Sequence, residues 1–272
     1  MEKPQILLTN DDGIRSPGLW AAAGALADLG VVTVVAPREQ SSGMGRSLPA
    51  TSDGLIRPEA LTVCGKQWTA YAVGGSPAQA VLHGILEIMP RRPDLVVAGI
   101  NYGENVATGI SISGTIGAAM EAAAQEIPSL AISLETSAEE HFSYSSEVDF
   151  STAAYFAAKF ALLLLEQKMP EEVDFLKVDV PSDATPQTPW QITRLSRQRY
   201  FESVAPQRLS WKEPKTIGYR EQANLDCEPD SDVYVLRVQR QVAVTPLSLD
   251  FTARVDFAEL DLLLRDGMDQ RG

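Results

Sequence analysis

Short apolar runs alternate with helix-like stretches through the first half of this chain, and that alternation admits few folds. Residues 5–9 read as a buried strand. Ser16 and Pro17 then supply an N-cap and a first-turn proline for a helix to about residue 29, which Gly30 ends. Residues 31–36 are β-branched and apolar enough for a second central strand, stopped by Pro37. Ser76 and Pro77 repeat the helix signal and open a helix to about residue 89, after which 94–100 form a third strand. A glycine-rich loop over 101–113 leads to an alanine-rich helix over 114–125, a strand over 128–134 and a long helix with one apolar face over 147–167. The expected class is α/β, with a mainly parallel sheet covered by helices.

Elsewhere the pattern loosens. Residues 38–75 read as an insertion, a Ser/Gly-rich loop with short strands over 61–63 and 68–73. Beyond about residue 169, prolines cut the chain into short pieces, with strands expected over 175–180, 233–238 and 242–246. Residues 234–238 and 242–245 could pair as a hairpin, and 257–264 read as a closing helix. The 272 residues suit a single domain, with a core over 1–180 and a C-terminal extension over 181–272.

The chain holds 23 Lys and Arg against 36 Asp and Glu, a formal net charge of −13. So acidic a surface argues against duplex nucleic acid and anionic membranes as partners. A small anionic substrate is compatible only where a metal or a cluster of donors reverses the local field. Cys64 and Cys227 lie far apart, and with only two histidines the chain cannot assemble a zinc finger or a disulfide scaffold. A cytoplasmic setting is expected. The apolar run 6–8 is too short for a signal peptide, and 156–165, interrupted by Lys159, is far short of a membrane span.

Open parallel sheets bind ligands at the carboxyl ends of their strands, so the residues just after each strand carry the chemistry. The first strand ends in Asn10-Asp11-Asp12-Gly13, the second leads to Ser41-Ser42-Gly43, and the third ends in Gly99-Ile100-Asn101-Tyr102-Gly103. Adjacent carboxylates repel, and a cation that neutralises them removes the cost. Oxygen donors from Asp, Asn and Ser suit a hard divalent ion, Mg²⁺ or Mn²⁺, rather than Zn²⁺. An isolated Asp-Asp-Gly is more often an ordinary turn. Its place after a buried first strand, with two further oxygen-bearing loops, favours a metal site. Ser113-Gly114-Thr115 enters a helix, where free backbone N–H groups and hydroxyls make an anion site beside that metal loop.

Other motifs are weaker. Gly43-Met44-Gly45 lacks the third glycine of a dinucleotide fingerprint, and Gly65-Lys66-Gln67 is no Walker loop. His83 sits among apolar neighbours and reads as packed; His141 follows two acids in a polar loop and reads as solvated. Neither has a nearby serine motif of the G-x-S-x-G kind.

The assembled residues resemble the SurE family of survival proteins, which are metal-dependent nucleotidases. The resemblance runs almost continuously over 7–133, through Asn10-Asp11-Asp12-Gly13, Ser16-Pro17-Gly18, Val34-Val35-Ala36-Pro37, Ser42-Gly43, Ser76-Pro77-Ala78, Gly99-Ile100-Asn101, Asn105, Ser113-Gly114-Thr115 and Ala118-Ala119-Met120-Glu121. Weaker echoes follow over 194–200 and 244–247. The chain departs from the family pattern at Gln79 and Ala80, and follows it only loosely over 199–232. The resemblance implies a Rossmann-like three-layer sandwich and a phosphatase acting on nucleoside 5′- and 3′-monophosphates. It also implies one divalent metal per subunit, held by Asp11, Asp12, Ser42 and Asn101, and a C-terminal hairpin and helix extension that exchanges elements within a homodimer or homotetramer.

On this reading Asp11 and Asp12 are also the candidates to orient or deprotonate the attacking water, and Asn105, Ser113 and Thr115 cradle the phosphate, with Asn10, Gly43 and Gly114 as further contacts. Two alternatives stand beside it. A receiver-like or hydrolase-like protein would form a phosphoaspartate, but needs a later aspartate where this chain has Asn101, or a D-x-D where the acids here are adjacent. A non-catalytic protein would bind nucleotide with metal and release no phosphate. Finally, residues 191–220 hold seven bases (Arg194, Arg197, Arg199, Arg208, Lys212, Lys215 and Arg220) against Glu202 and Glu213. This basic island is expected at the mouth of the site or at a subunit interface.

Overall fold

The computed structural model describes residues 2–63, 65–142, 145, 147–222 and 224–269. Cys64 lies outside them. The chain runs β1 (Gln5–Thr9), α1 (Pro17–Leu26), β2 (Val31–Pro37), β3 (Ile56–Val63), β4 (Lys66–Val73), α2 (Pro77–His83), β5 (Leu95–Tyr102), α3 (Gly114–Ala124) and β6 (Ser129–Leu134). It continues with α4 (Ser151–Glu166), β7 (Phe175–Val180), β8 (Trp190–Ile192), β9 (Phe201–Val204), β10 (Gly218–Glu221), α5 (Asp232–Arg237), β11 (Val242–Leu247) and α6 (Phe257–Asp269).

Nine strands form one sheet in the order β3-β4-β2-β1-β5-β6-β7-β11-β8, and β9 and β10 make a separate two-stranded ribbon. The run from β4 to β7 is parallel throughout. At the margins β3 lies antiparallel to β4, and β11 antiparallel to β7. Side-chain alternation sorts the two layers. Ile6 and Leu8 of β1 enter the apolar cluster with Leu19 of α1 and Phe156 of α4, whereas Leu7 joins Val81 of α2 and Ile116 of α3 on the opposite face. The result is the helix-sheet-helix sandwich that the alternation predicts. A third, smaller cluster joins Val106 and Ala107 to Tyr200, Val233 and Leu236.

The strand order reverses direction between β1 and β5. After β1 the chain builds outward through β2 and β4, then returns to place β5 on the other side of β1. A crevice opens at such a switch point, outside the carboxyl ends of the two strands. The N-terminal turn of α1 closes tightly on it: a Cβ at Gly18 would lie 2.2 Å from the carbonyl oxygen of Ile100.

Several elements differ from expectation. Residues 56–73 are not an appendage, since β4 pairs in parallel with β2 and extends the main sheet. The strand expected over 233–238 is the helix α5, so it forms no hairpin with β11, which pairs instead with β7 and β8. Ser231 caps this helix, accepting from the Tyr234 N–H at 3.3 Å, and burial of Val233, Val235 and Leu236 outweighs the β-propensity of the two valines. The helix expected from 147 begins at Ser151. The helix from Pro77 is α-helical to His83 and then widens into a π-helical turn over Gly84–Ile88. His83 is not packed inside; it pairs with Glu87 at the half-exposed end of α2.

Candidate active site

The four-residue turn after β1 is closed by its own first residue. The Asn10 side-chain amide donates to the Gly13 carbonyl at 3.1 Å and its carbonyl accepts from the Gly13 N–H at 3.2 Å. Gly13 has φ of +98°, which only glycine adopts readily. Asp11 and Asp12 are thereby fixed at the switch-point crevice, both buried.

Each acid is held by neutral donors. Asp11 accepts from the Thr115 hydroxyl, and its Cβ sits so near α3 that a Cβ at Gly114 would lie 2.6 Å away. Asp12 accepts from the Tyr102 N–H at 3.2 Å and from the Gln40 side chain at 3.4 Å. Burial pushes the Asp11 carboxyl up, opposed by the Thr115 hydroxyl and by the backbone N–H groups at the start of α3. Asp12 is pushed well above the usual carboxylate range, by burial first and by the charge of Asp11 second. Two buried acids raised this way present strong demand for a cation.

Asn101, at the end of β5, completes the oxygen set. Its amide nitrogen donates to the carbonyls of Tyr102 and Gly103, at 3.0 and 2.6 Å. That turns its carbonyl oxygen toward Thr115, whose hydroxyl lies 3.3 Å from it while bonding Asp11. Asp11 and the Asn101 carbonyl thus meet at one hydroxyl, and Asp12 is held by the N–H of Tyr102, the next residue after Asn101, so that oxygen donors from two neighbouring strands form a set that fits a hard divalent ion. Among the described residues no cluster of three or more His, Cys, Asp or Glu competes as a metal site.

The second loop spans the crevice. Ser41 N–H donates to the Asp11 carbonyl at 2.7 Å, and Gly45 N–H to the Ile112 carbonyl at 3.0 Å, so Ser42 and Gly43 are suspended between Asp11 and the approach to α3. Both are exposed, and Gly43 has φ of +76°. Ser113 is the N-cap of α3, accepting from the Ile116 N–H at 3.2 Å. Asn105 is oriented by the far side of the sheet: its amide donates to Ser133 at 2.8 Å and its backbone N–H to Asp179 at 2.7 Å. Of the residues singled out by sequence, Thr115 bonds both Asp11 and Asn101, Gly114 packs on Asp11, and Asp12 is held beside them through the Tyr102 N–H. Ser42, Gly43, Asn105 and Ser113 ring them on adjoining loops, and Asn10 shapes the turn.

Three contributors were not foreseen. Gln40 links Asp12 to the carbonyl of His141, at 2.8 Å. His141 itself is not solvated, since its ring stacks on Tyr219 and bonds the Tyr219 hydroxyl at 2.8 Å, beside Phe201. Loop acidity gave no sign of an aromatic neighbour that lies far along the chain. The base of the β9–β10 ribbon therefore abuts the site, and three of the seven bases of the basic island are in ion pairs. Arg194 pairs with Asp230, Lys215 with Glu213 and Arg220 with Glu202. On another side a groove of about 850 Å³ beside Gln40 is lined by Arg15, Arg38 and Arg57 together with Glu39 and Glu59, and Arg15 and Arg38 pair with Glu59 and Asp53.

The chain is similar to known proteins over most of its length. Residues 6–202 match the family model described as survival protein SurE. The chain is 45% identical over 260 residues to the 5′-nucleotidase SurE of Thermococcus gammatolerans, covering 96% of each. It is 39% identical over 266 residues to the 5′-nucleotidase SurE of Methanocella arvoryzae, covering 96% of this chain and 98% of that one. In three dimensions it resembles the crystal structure of the SurE protein from Aquifex aeolicus with a TM-score of 0.74 at 29% identity, over 96% of this chain and 99% of that one. With the family model spanning most of the sheet, the acid-bearing turn and the Asn101 loop, this chain belongs to the SurE family.

Proposed function

We propose that this protein is a nucleotidase that hydrolyses nucleoside 5′-monophosphates, and 3′-monophosphates as well, with one divalent ion such as Mg²⁺ or Mn²⁺ per subunit. The observation that carries the reading is the convergence of Asp11, Asp12 and the Asn101 carbonyl at the switch point, against the first turn of α3. The relatives named 5′-nucleotidase supply the substrate class.

Asp11, Asp12, Asn101 and Ser42 would hold the ion. When bound, the ion supplies charge neutralisation for the phosphoryl group and a water of lowered pKa. Asn105, Ser113 and Thr115 would cradle the phosphate, with Asn10, Gly43 and Gly114 shaping the same wall. Asp11 or Asp12 would orient the attacking water and take its proton as the new P–O bond forms, while the P–O bond to the nucleoside breaks on the opposite side of phosphorus and the leaving oxygen takes up a proton from solvent. We also propose a homodimer or homotetramer in the cytoplasm. Exposed apolar side chains along α6 (Phe257, Leu260, Leu263, Leu264) and on the ribbon loop (Leu209, Trp211) support the assembly. No helix among the described residues is long and apolar enough to cross a membrane.

A phosphate-release assay with Mg²⁺, Mn²⁺ or Co²⁺ and a panel of nucleoside monophosphates tests the reading. Turnover abolished by chelation and by Asp11→Ala is expected. Full activity in metal-stripped protein or in Asp11→Ala would sink it. Binding without phosphate release would favour the non-catalytic alternative, and an aspartyl phosphate trapped by acid quench would favour a covalent route.

A further inference from the structure

The loop over 102–111 carries Asn105 and leads into α3, and its backbone is tied to a buried charged group that the proposed chemistry leaves unused. Asn105 N–H donates to Asp179 at 2.7 Å, and Ala107 N–H donates to Asp232 at 3.0 Å. Lys177 bridges the two acids, bonding Asp179 and reaching Asp232 at 3.2 Å. All three side chains are fully buried. Asp232, the first residue of α5, also accepts from the Ser196 and Val233 N–H groups, each at 2.9 Å. Ala107 has φ of +54°, a conformation that a side-chain-bearing residue rarely adopts without external support.

Charges buried this deeply usually recover little more than their desolvation cost, so apolar residues of the same volume would serve the core as well. What this group adds is two fixed acceptors, aimed at the N–H of Asn105 and of Ala107. Burial disfavours the Lys177 ammonium, but the two carboxylates outweigh it and hold its proton above the usual lysine range. The ammonium therefore stays charged, while burial pushes the Asp179 carboxyl up, opposed by Lys177 and the Asn105 N–H. Glu104, next along the loop, makes a third anchor by accepting from the Tyr200 hydroxyl at 2.5 Å.

We infer that Asp179 and Asp232, joined by Lys177, are positioning residues for phosphate binding: they set the backbone of Asn105 and Ala107 and so present the Asn105 amide to the substrate phosphate. The inference rests on the nucleotidase reading. It also makes the C-terminal segment part of the site, because Asp232 and Ser196 come from it while Asp179 belongs to the central sheet.

The test uses the full chain loaded with Mn²⁺. In Asp179→Ala the inhibition constant for inorganic phosphate and KM for a nucleoside monophosphate should rise about tenfold or more, as for loss of one oriented hydrogen bond, with kcat changed less. Mn²⁺ affinity, read by electron paramagnetic resonance, should stay within about twofold, because Asp11, Asp12 and Asn101 do not touch the triad. Asp179→Asn combined with Lys177→Met and Asp232→Asn keeps acceptors for Asn105 and Ala107 while removing all three charges, and should recover most of the phosphate affinity. That triple variant also decides the matter if Asp179→Ala does not fold. Native phosphate affinity in Asp179→Ala would overturn the inference. So would Mn²⁺ and phosphate affinities falling in parallel, or a triple variant that folds and binds Mn²⁺ but not phosphate. If the parent chain releases no phosphate from any nucleotide, the nucleotidase reading fails. Equilibrium binding of phosphate to the Mn²⁺-loaded protein still tests the positioning role.

Discussion

Asp11 and Asp12 occupy positions that cost stability in the metal-free chain, since burial penalises both charges and each charge penalises the other. Glu104 is a third buried acid, on the loop beyond Asn101, and it titrates in a useful range. Burial pushes its carboxyl up to about 7, against the bonds from Tyr200 and the attraction of Arg237. The folded protein thus prefers Glu104 protonated. Its contribution to stability is complete below the ordinary value of 4.5 and is lost as pH rises through about 7. Glu104→Gln, permanently neutral, should therefore gain stability relative to the parent between about pH 5 and pH 8, by up to roughly 3 kcal/mol. Denaturant melts across that interval measure it, and parallel curves for the two proteins would contradict it. Asp11, Asp12, Asn101 and Thr115 were legible in the sequence because each stands at an element boundary, where local pattern fixes position. Gln40, Asp179 and Asp232 were not, because their roles depend on partners far away in the chain. The one signal that could have been read was Lys177 and Asp179 at alternate positions of an otherwise apolar strand, hence on one buried face.

Two helices open with the same Ser-Pro pair, yet the structure treats them differently. Ser76 forms a full capping box: its hydroxyl accepts from the Gln79 N–H at 3.2 Å and the Gln79 side chain accepts from the Ser76 N–H at 3.0 Å. Ser16 stands at the same position of α1, but its hydroxyl makes no cap bond and is buried with no hydrogen-bond partner. Ser76→Ala should accordingly cost about 1 kcal/mol, whereas Ser16→Ala should be neutral or slightly stabilising. Thermal melts of the two variants distinguish the cases, and equal losses would refute the distinction. The lesson for reading elements is similar. Strands β1, β2, β5 and β6 and helices α1 and α3 announced themselves because apolar runs bounded by Gly, Pro and Ser are set locally. Helix α5 escaped notice because its six residues are too few for a period to emerge, and because Val233 and Val235 favour strand until the small cluster with Tyr200 is known. The edge hairpin β3–β4 was half-visible for a different reason: its outer strand alternates exposed and half-buried residues, so no continuous apolar run marks it.

At the scale of the molecule, α6 leaves the main body and exposes Phe257, Leu260 and Leu264, spaced to lie along one side of the helix. An unpartnered stripe of this kind is unfavourable in water, which is why an oligomer is expected. Leu260→Glu combined with Leu264→Glu should shift the sedimentation coefficient toward that of a monomer. An unchanged coefficient would remove α6 from the interface. The net charge of −13, which argued against polyanionic partners, is compatible with a small phosphate ester under the proposed reading, in which one divalent ion offsets Asp11 and Asp12. The sheet order has a further consequence, for the time before the chain is complete. β11 pairs with β7 in the main sheet, and Asp232 fixes the loop that carries Asn105, although both come from the last part of the sequence. A nascent chain emerging from the ribosome can therefore assemble the acid-bearing turn and most of the parallel strands early. The loop that carries Asn105 gains its Asp232 anchor only after residue 232 has left the exit tunnel, so its backbone is fixed later than the acid-bearing turn.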